Sequence, residues 1–288
     1  MMGVEQISNP LITVITVVYN DAKHIEDTIL SVVNQTYPNI EYIIIDGGST
    51  DGTVDIIKKY ADRIAYWVSE PDKGIYDAMN KGICKATGEW INFMNSGDLY
   101  AVNDVLYRMI KQLIPGIQIL RGNIVRVYSH AKVKSVGVVS DTPGLIDLFN
   151  NTFHHQACLI QSSVFKKVGL YSISYKLCSD WKFFFDSVVL HHIQSKYVDI
   201  VVALFRMDGT STNNSILYRK EQEDYLRTLY GEELFSLLSE LTVYRKSKLI
   251  RIYYKIHCSI FKHLSQRTFN QLLTLKRTIR AWFGLNVN

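Results

Sequence analysis

Between residues 11 and 94 the chain alternates four β-rich runs with segments of helical period, and this alternation restricts the possible folds more than any other feature. "LITVITVVYN" (11–20) is a continuous apolar run that ends in Asn20-Asp21, a pair able to cap a helix. Ile25, Ile29, Val32 and Val33 follow at spacings that share one helical face. "EYIIID" (41–46) reads as a second buried strand and "GGSTDG" as a turn, with Val54, Ile57 and Ala61 on the inner face of the next helix. "IAYWV" (64–68) is the third strand. Ile75, Ala78, Met79, Gly82, Ile83 and Ala86 then mark a helix, and "EWINFM" (89–94) is the fourth strand. Such alternation predicts an α/β fold with a mostly parallel central sheet flanked by helices, whose ligands gather at the carboxyl ends of the strands.

Polar clusters fall at those ends: Asp46 in "IIIDGGSTDG", Asp72 with Lys73 in "SEPDKG", and Asp98 in "FMNSGDLY". None spells a GxGxxG or Walker A loop. One acid at a strand end usually caps the next helix, but three clusters after adjacent strands point to a site. Beyond Tyr100 the pattern predicts a helix over 101–113, strand-like pieces over 117–139 and a helix near 162–168. "CSDWKFFFDSVVL" follows, then strand-like "YVDIVVALF" (197–205), and a helical pattern runs from about 216 to the end.

Charge is unevenly spread. Residues 241–288 hold ten Lys or Arg and no acid, which leaves 22 basic against 27 acidic residues in the first 240. Cys84, Cys158, Cys178 and Cys258 show no metal or disulfide spacing, so a reducing cytosol is expected. No signal peptide is read in the first residues, and no apolar run approaches the roughly 20 residues that span a bilayer.

The order of "ITVVYN", "TILSVVNQTYPNIEYIIIDGGSTDGT" and "SEPDKGIYDAMNKGICKATGEWINFMNSGD" closely resembles the family 2 glycosyltransferases, inverting enzymes of GT-A fold. More narrowly it resembles the bacterial enzymes that assemble O-antigen, capsule and colanic-acid repeat units. The resemblance is specific over 11–100 and looser through "FHHQACLIQSSVFKKVGLYSISYKLCSDWKFF" (153–185); it does not extend to the last 70 or so residues. It implies a catalytic domain over 1–210, with a nucleotide-sugar half (1–100) and an acceptor half (101–210); the helical pattern and the charge count, not the resemblance, put a basic helical region over 211–288 after it. It also implies that Asp46 reads the nucleotide base in a pocket lined by Val17 and Tyr19, and that Asp72 and Lys73 lie near the ribose and diphosphate. Asp98 matches the last acid of a DxD motif that holds Mn²⁺ or Mg²⁺, and Asp180 matches the catalytic base. Ser96 stands where many relatives carry the first acid of that motif.

One aspartate is enough for a hard divalent ion, which takes one or two protein carboxylates beside substrate phosphates and keeps several waters. Ser96 or a water fills the second place. Asp180 also reads as the N-cap of the helix it opens. His155 and Gln156 are acceptor-side candidates with a structural alternative, as is Trp181, which either stacks on a sugar or joins the core. Asn123 is a possible substrate contact.

The expected reaction is hexose transfer from UDP-glucose or UDP-galactose to a polyprenyl-diphosphate-linked sugar. The interleaved basic and apolar residues of 241–288 suit an anionic membrane surface at the cytoplasmic face; packing on the core or in a homodimer is the alternative. No motif supports nucleic-acid binding. The competing functions are a sugar-phosphate nucleotidyltransferase, which would want a Gly-rich basic loop where "VVYNDAKH" stands, and a non-catalytic sugar-binding protein.

Overall fold

The computed structural model describes residues 9–149, 151–207 and 214–246. Strands β1 (Ile12–Val18), β2 (Ile40–Asp46), β3 (Tyr66–Ser69) and β4 (Trp90–Phe93) lie in the order β3-β2-β1-β4, and every neighbouring pair is parallel. Helices α1 (Ile25–Val33), α2 (Thr53–Lys59) and α3 (Ile75–Lys85) make the crossovers that parallel strands require. β1 and β4 are buried at every position, which explains why they read as unbroken apolar runs rather than alternating ones.

The second half adds β5 (Leu99–Tyr100), α4 (Val105–Ile110), β6 (Ile119–Val127), β7 (Lys132–Ser135), α5 (Leu145–Phe149), β8 (Cys158–Gln161), α6 (Ser162–Val168), α7 (Ser179–Phe185) and β9 (Ser195–Arg206). Among the described residues the strands form one nine-stranded sheet, ordered β3-β2-β1-β4-β8-β6-β9-β5 with β7 on β6. The parallel character belongs to the first four strands. Beyond them β8 runs antiparallel to both β4 and β6, β9 is parallel to β6, and β5 is antiparallel to β9.

This reversal positions the site. Antiparallel pairing of Trp90 with Gln161 and of Ile91 with Ile160 sets the start of β8 beside the carboxyl end of β4. The short 3₁₀ turn His155–Ala157, which leads into β8, is thereby delivered to the edge where the first four strands end.

Helix α3 departs from its sequence reading in one respect. Tyr76 is buried, at 7% exposure, whereas Ile75 is 45% exposed. The Tyr76 ring packs against Tyr171 at 5.7 Å between centroids, and its hydroxyl finds partners across the fold. Helix α8 (Ser215–Lys246) breaks at Gly231, and the chain separates there into two compact units, Met1–Gly231 and Glu232–Asn288. The boundary expected near residue 210 lies outside the described residues, as does the basic stretch beyond residue 246. No helix of the described residues is long and apolar enough to cross a membrane.

Candidate active site

A cleft of about 1340 Å³ opens at the carboxyl ends of β1 and β4 and is lined by Tyr19, Asp21, Ser96, Asp98, His155 and Asp180, among others. Its floor is the turn after β4. The Thr28 hydroxyl donates to the Asp98 carbonyl at 2.9 Å and accepts the Gly97 N–H at 3.0 Å, fixing that turn to α1. The Asp98 side chain is 5% exposed, and burial pushes its carboxyl up to about 7, against the pull of nearby His155 and of a hydrogen bond from Gln156.

The dipeptide His155-Gln156 joins the two halves of the site. While Gln156 donates to Asp98, His155 places Nδ1 3.3 Å from Asp180 Oδ2 and Nε2 3.3 Å from Asn95 Nδ2. The other Asp180 oxygen accepts the Tyr76 hydroxyl at 3.0 Å, and Tyr76 donates also to the Leu177 carbonyl at 2.8 Å. Burial and the Asp180 charge raise the Tyr76 phenol well above its usual range, so it stays a donor. Asp180 lies in the first turn of α7, whose N-cap position is Cys178, so the capping role is not the one it fills.

His154 turns away from Asp180. It meets Ser135 Oγ at 3.2 Å, and burial beside Arg126 lowers it to about 4, leaving it neutral at physiological pH. Adjacent histidines are thus divided between a wall of the cleft and the acid pair.

Ser96 does not stand alone. Its hydroxyl donates to Asp21 Oδ2 at 2.6 Å, and Asp21 Oδ1 lies 2.7 Å from His24 Nδ1. Sequence reading took Asp21 for a helix cap; its carboxylate instead faces the position from which the turn's first acid is missing. Among the described residues no group of three or more His, Cys, Asp or Glu side chains could hold a metal ion. Within the turn after β4 the oxygens on offer are the Asp98 carboxylate and Asn95 Oδ1, which is buried and has no hydrogen-bond partner, and the Asp21 carboxylate adjoins them through Ser96. That donor set fits Mn²⁺ or Mg²⁺ sharing its shell with phosphate oxygens and water.

The remaining sequence candidates fall into two groups. Tyr19, 65% exposed, lies in the cleft wall, while a Cβ built on Gly47 would sit 2.5 Å from Asp72 Oδ2 and 3.3 Å from the Tyr19 ring. Gly47 therefore lets the ends of β1, β2 and β3 converge. The Val17 carbonyl accepts the Ser96 N–H at 3.1 Å, and exposed Lys73 donates its N–H to Asp77 at 2.9 Å.

Asp46 has no exposure and accepts the Ser49 hydroxyl at 2.5 Å, the Ser69 hydroxyl at 2.6 Å and the Gly48 N–H at 3.1 Å. Both its oxygens are engaged inside the turn, so it holds the shape of this loop. Trp181 also needs correction: it is fully buried, donates Nε1–H to the Leu148 carbonyl at 2.8 Å and packs on Phe185, so it belongs to the core. Asn123 is buried, bonded to Asp199 at 2.8 Å, and does not line the cleft.

Residues 13–137 match the family model described as glycosyl transferase family 2. An uncharacterized glycosyltransferase of Mycobacterium tuberculosis (strain CDC 1551 / Oshkosh) is 33% identical over 183 residues, covering 61% of this chain and 68% of the relative. Among solved structures, S. aureus TarS in complex with UDP aligns with a TM-score of 0.56 at 18% identity, covering 68% of this chain; the chain spans only 60% of that one. The mannosyltransferase PcManGT from Pyrobaculum calidifontis, in complex with GDP-Man and Mn²⁺, aligns with a TM-score of 0.58 at 15% identity over 96% of this chain and 88% of that chain. Sequence likeness, matched residues and architecture agree: the chain is a glycosyltransferase of GT-A fold and belongs to glycosyl transferase family 2.

Proposed function

We propose that this enzyme is an inverting, divalent-metal-dependent hexosyltransferase that extends a lipid-diphosphate-linked sugar in bacterial surface-polysaccharide synthesis. The donor is UDP-glucose or UDP-galactose, bound by the 1–100 half, with the acceptor met by the 101–210 half. The observation that carries the reading is the pairing of Asp98 and Asp180 in one cleft, linked by His155 and Gln156. A site for attack by a hydroxyl on a sugar diphosphate needs a base on one side and a means of stabilising the leaving diphosphate on the other.

Asp180 takes the acceptor proton, with Tyr76 and His155 holding its two oxygens in place. Asp98, with Asn95 beside it, would hold the ion, which when bound supplies positive charge to the departing diphosphate. Asp46 holds the Gly48–Ser49 loop, and Tyr19, Val17, Gly47, Asp72 and Lys73 surround the nucleoside. Lys23, Arg126, Lys176 and Arg219 also line the cleft, and none of them forms an ion pair with another described residue. Unpaired cations of this kind suit substrates that carry phosphates on both the donor and the acceptor. TarS was solved with UDP and PcManGT with GDP-Man and Mn²⁺, which supports a nucleotide-sugar donor and a divalent ion here. The basic stretch 241–288 would bring the enzyme to the anionic cytoplasmic leaflet where such an acceptor resides, and a homodimer built through it is its alternative use.

The test is turnover of a panel of UDP-, GDP- and dTDP-sugars with Mn²⁺, read by released nucleoside diphosphate with and without a lipid-linked acceptor. UDP-hexose should be consumed, faster with acceptor and not after chelation. If no donor is bound or consumed, the enzyme reading fails; pyrophosphate release from sugar phosphate and UTP would favour the nucleotidyltransferase.

A further inference from the structure

We propose that Glu221 is a positioning residue for the transfer reaction, fixing the loop that enters α7 and so setting the place of Asp180 and Tyr76. The inference rests on the reading of Asp180 as the base. Glu221 lies on α8, in the part that belongs to the larger compact unit. Its carboxylate accepts three consecutive backbone N–H groups, from Lys176 at 2.8 Å, Leu177 at 3.0 Å and Cys178 at 3.1 Å.

Among the described residues no other side chain accepts from these donors. Lys176 and Leu177 precede α7, Cys178 is its N-cap, and no side chain of the loop caps that helix. A single carboxylate meeting three amides makes charge-assisted bonds, roughly twice as strong as neutral ones. The loop so held is the one on which catalysis would turn. The Leu177 carbonyl seats the Tyr76 hydroxyl, and Asp180 follows three residues later with the same hydroxyl on its Oδ1.

The same helix reaches the cleft one turn earlier. Tyr218 lines it together with Arg219 and Gln222, and Gln222 donates to the Tyr218 hydroxyl at 3.2 Å. Tyr218 and Asp180 line the same cleft, and burial, with the Asp180 charge as a smaller cause, raises the Tyr218 phenol. The opening turns of α8 thus complete the active site instead of merely following it. A displacement of about 1 Å in a catalytic group can cost roughly 10²-fold in rate, so loosening this loop should appear in turnover.

The experiment uses the full-length protein with the UDP-hexose and acceptor that it consumes. Glu221→Ala should lower transfer kcat about 10- to 100-fold, leave the donor KM within about twofold, and speed hydrogen exchange of the 176–178 amides. Glu221→Gln keeps one acceptor oxygen but loses the charge and turns an N–H toward the remaining amides, so its kcat and exchange should fall between those of the alanine variant and wild type; if the alanine variant does not fold, a glutamine variant whose 176–178 amides exchange faster at wild-type kcat overturns the proposal. Faster exchange with unchanged kcat would make Glu221 a staple only and overturn the proposal. So would a donor KM that rises in step with a falling kcat. Transfer retained in Asp180→Asn would instead remove the base assignment, whatever the Glu221 variants show.

Discussion

Asp180→Asn is expected to lower transfer about 10²- to 10⁴-fold while UDP binding stays within about twofold of wild type, as measured by steady-state kinetics and calorimetric titration. The substitution is nearly isosteric. Asn retains an oxygen to accept the Tyr76 hydroxyl now 3.0 Å from Asp180 Oδ1, and an amide facing His155 Nδ1, now 3.3 Å from Oδ2. It cannot take a proton. Removing the base alone therefore separates chemistry from architecture, which truncation to Ala would not do. Transfer retained at wild-type rates would take Asp180 out of its role and leave His155 as the group to examine.

The second large effect is expected at Asp98. Asp98→Ala should remove the dependence of nucleotide binding on Mn²⁺ and lower transfer by about 10²- to 10³-fold, comparable to the loss of one charge-stabilising group elsewhere. Asp98→Asn adds a readout independent of activity. In the free protein the Asp98 carboxyl stands at about 7 instead of 3.8, with burial the main cause. The folded state therefore binds a proton that the unfolded state has already lost between those values, and stability falls as pH rises from about 4 to about 7. Above that window the ionised, buried group costs on the order of 2–4 kcal/mol. Asn carries no charge, so the metal-free variant should melt above wild type at pH 8, with the gap closing toward pH 5. A variant that melts below wild type at pH 8 would contradict this account of Asp98.

The first hundred residues were readable because β1 and β4 are buried along their whole length, β2 over most of it, and the helices between them carry one apolar stripe, so strand and helix periods show directly in the residues. The second half was harder for a physical reason. Its pairings join segments far apart in sequence, such as β6 with β9 through Ile119 and Ser195, and β5 consists of Leu99–Tyr100 alone. No local pattern encodes the reversal at β8, yet that reversal carries His155 and Gln156 to Asp98.

The fold brings to one cleft Asp98, Asp180, His155 and Gln156, which were identifiable as candidates through the resemblance to the family. Asp21, Tyr76 and Glu221 were not. An acid after a first strand reads as a cap, Tyr76 adjoins a conventional apolar helix face, and Glu221 is one charge among several in "YRKEQEDYLR". Their partners, Ser96, Leu177 and the 176–178 amides, become visible only when the chain is folded. Trp181 shows the converse: a tryptophan that opens an aromatic helix reads more readily as core than as a stacking platform, and its complete burial agrees with core.

Direct displacement with one carboxylate base and no covalent sugar intermediate has a stereochemical signature. The most direct measurement is therefore the anomeric configuration of the product formed from an α-linked UDP-hexose, assigned by proton NMR from the coupling across the new glycosidic centre. The account predicts a β-linked product throughout the time course. An α-linked product would mean retention and would contradict Asp180 acting as the base in a single displacement.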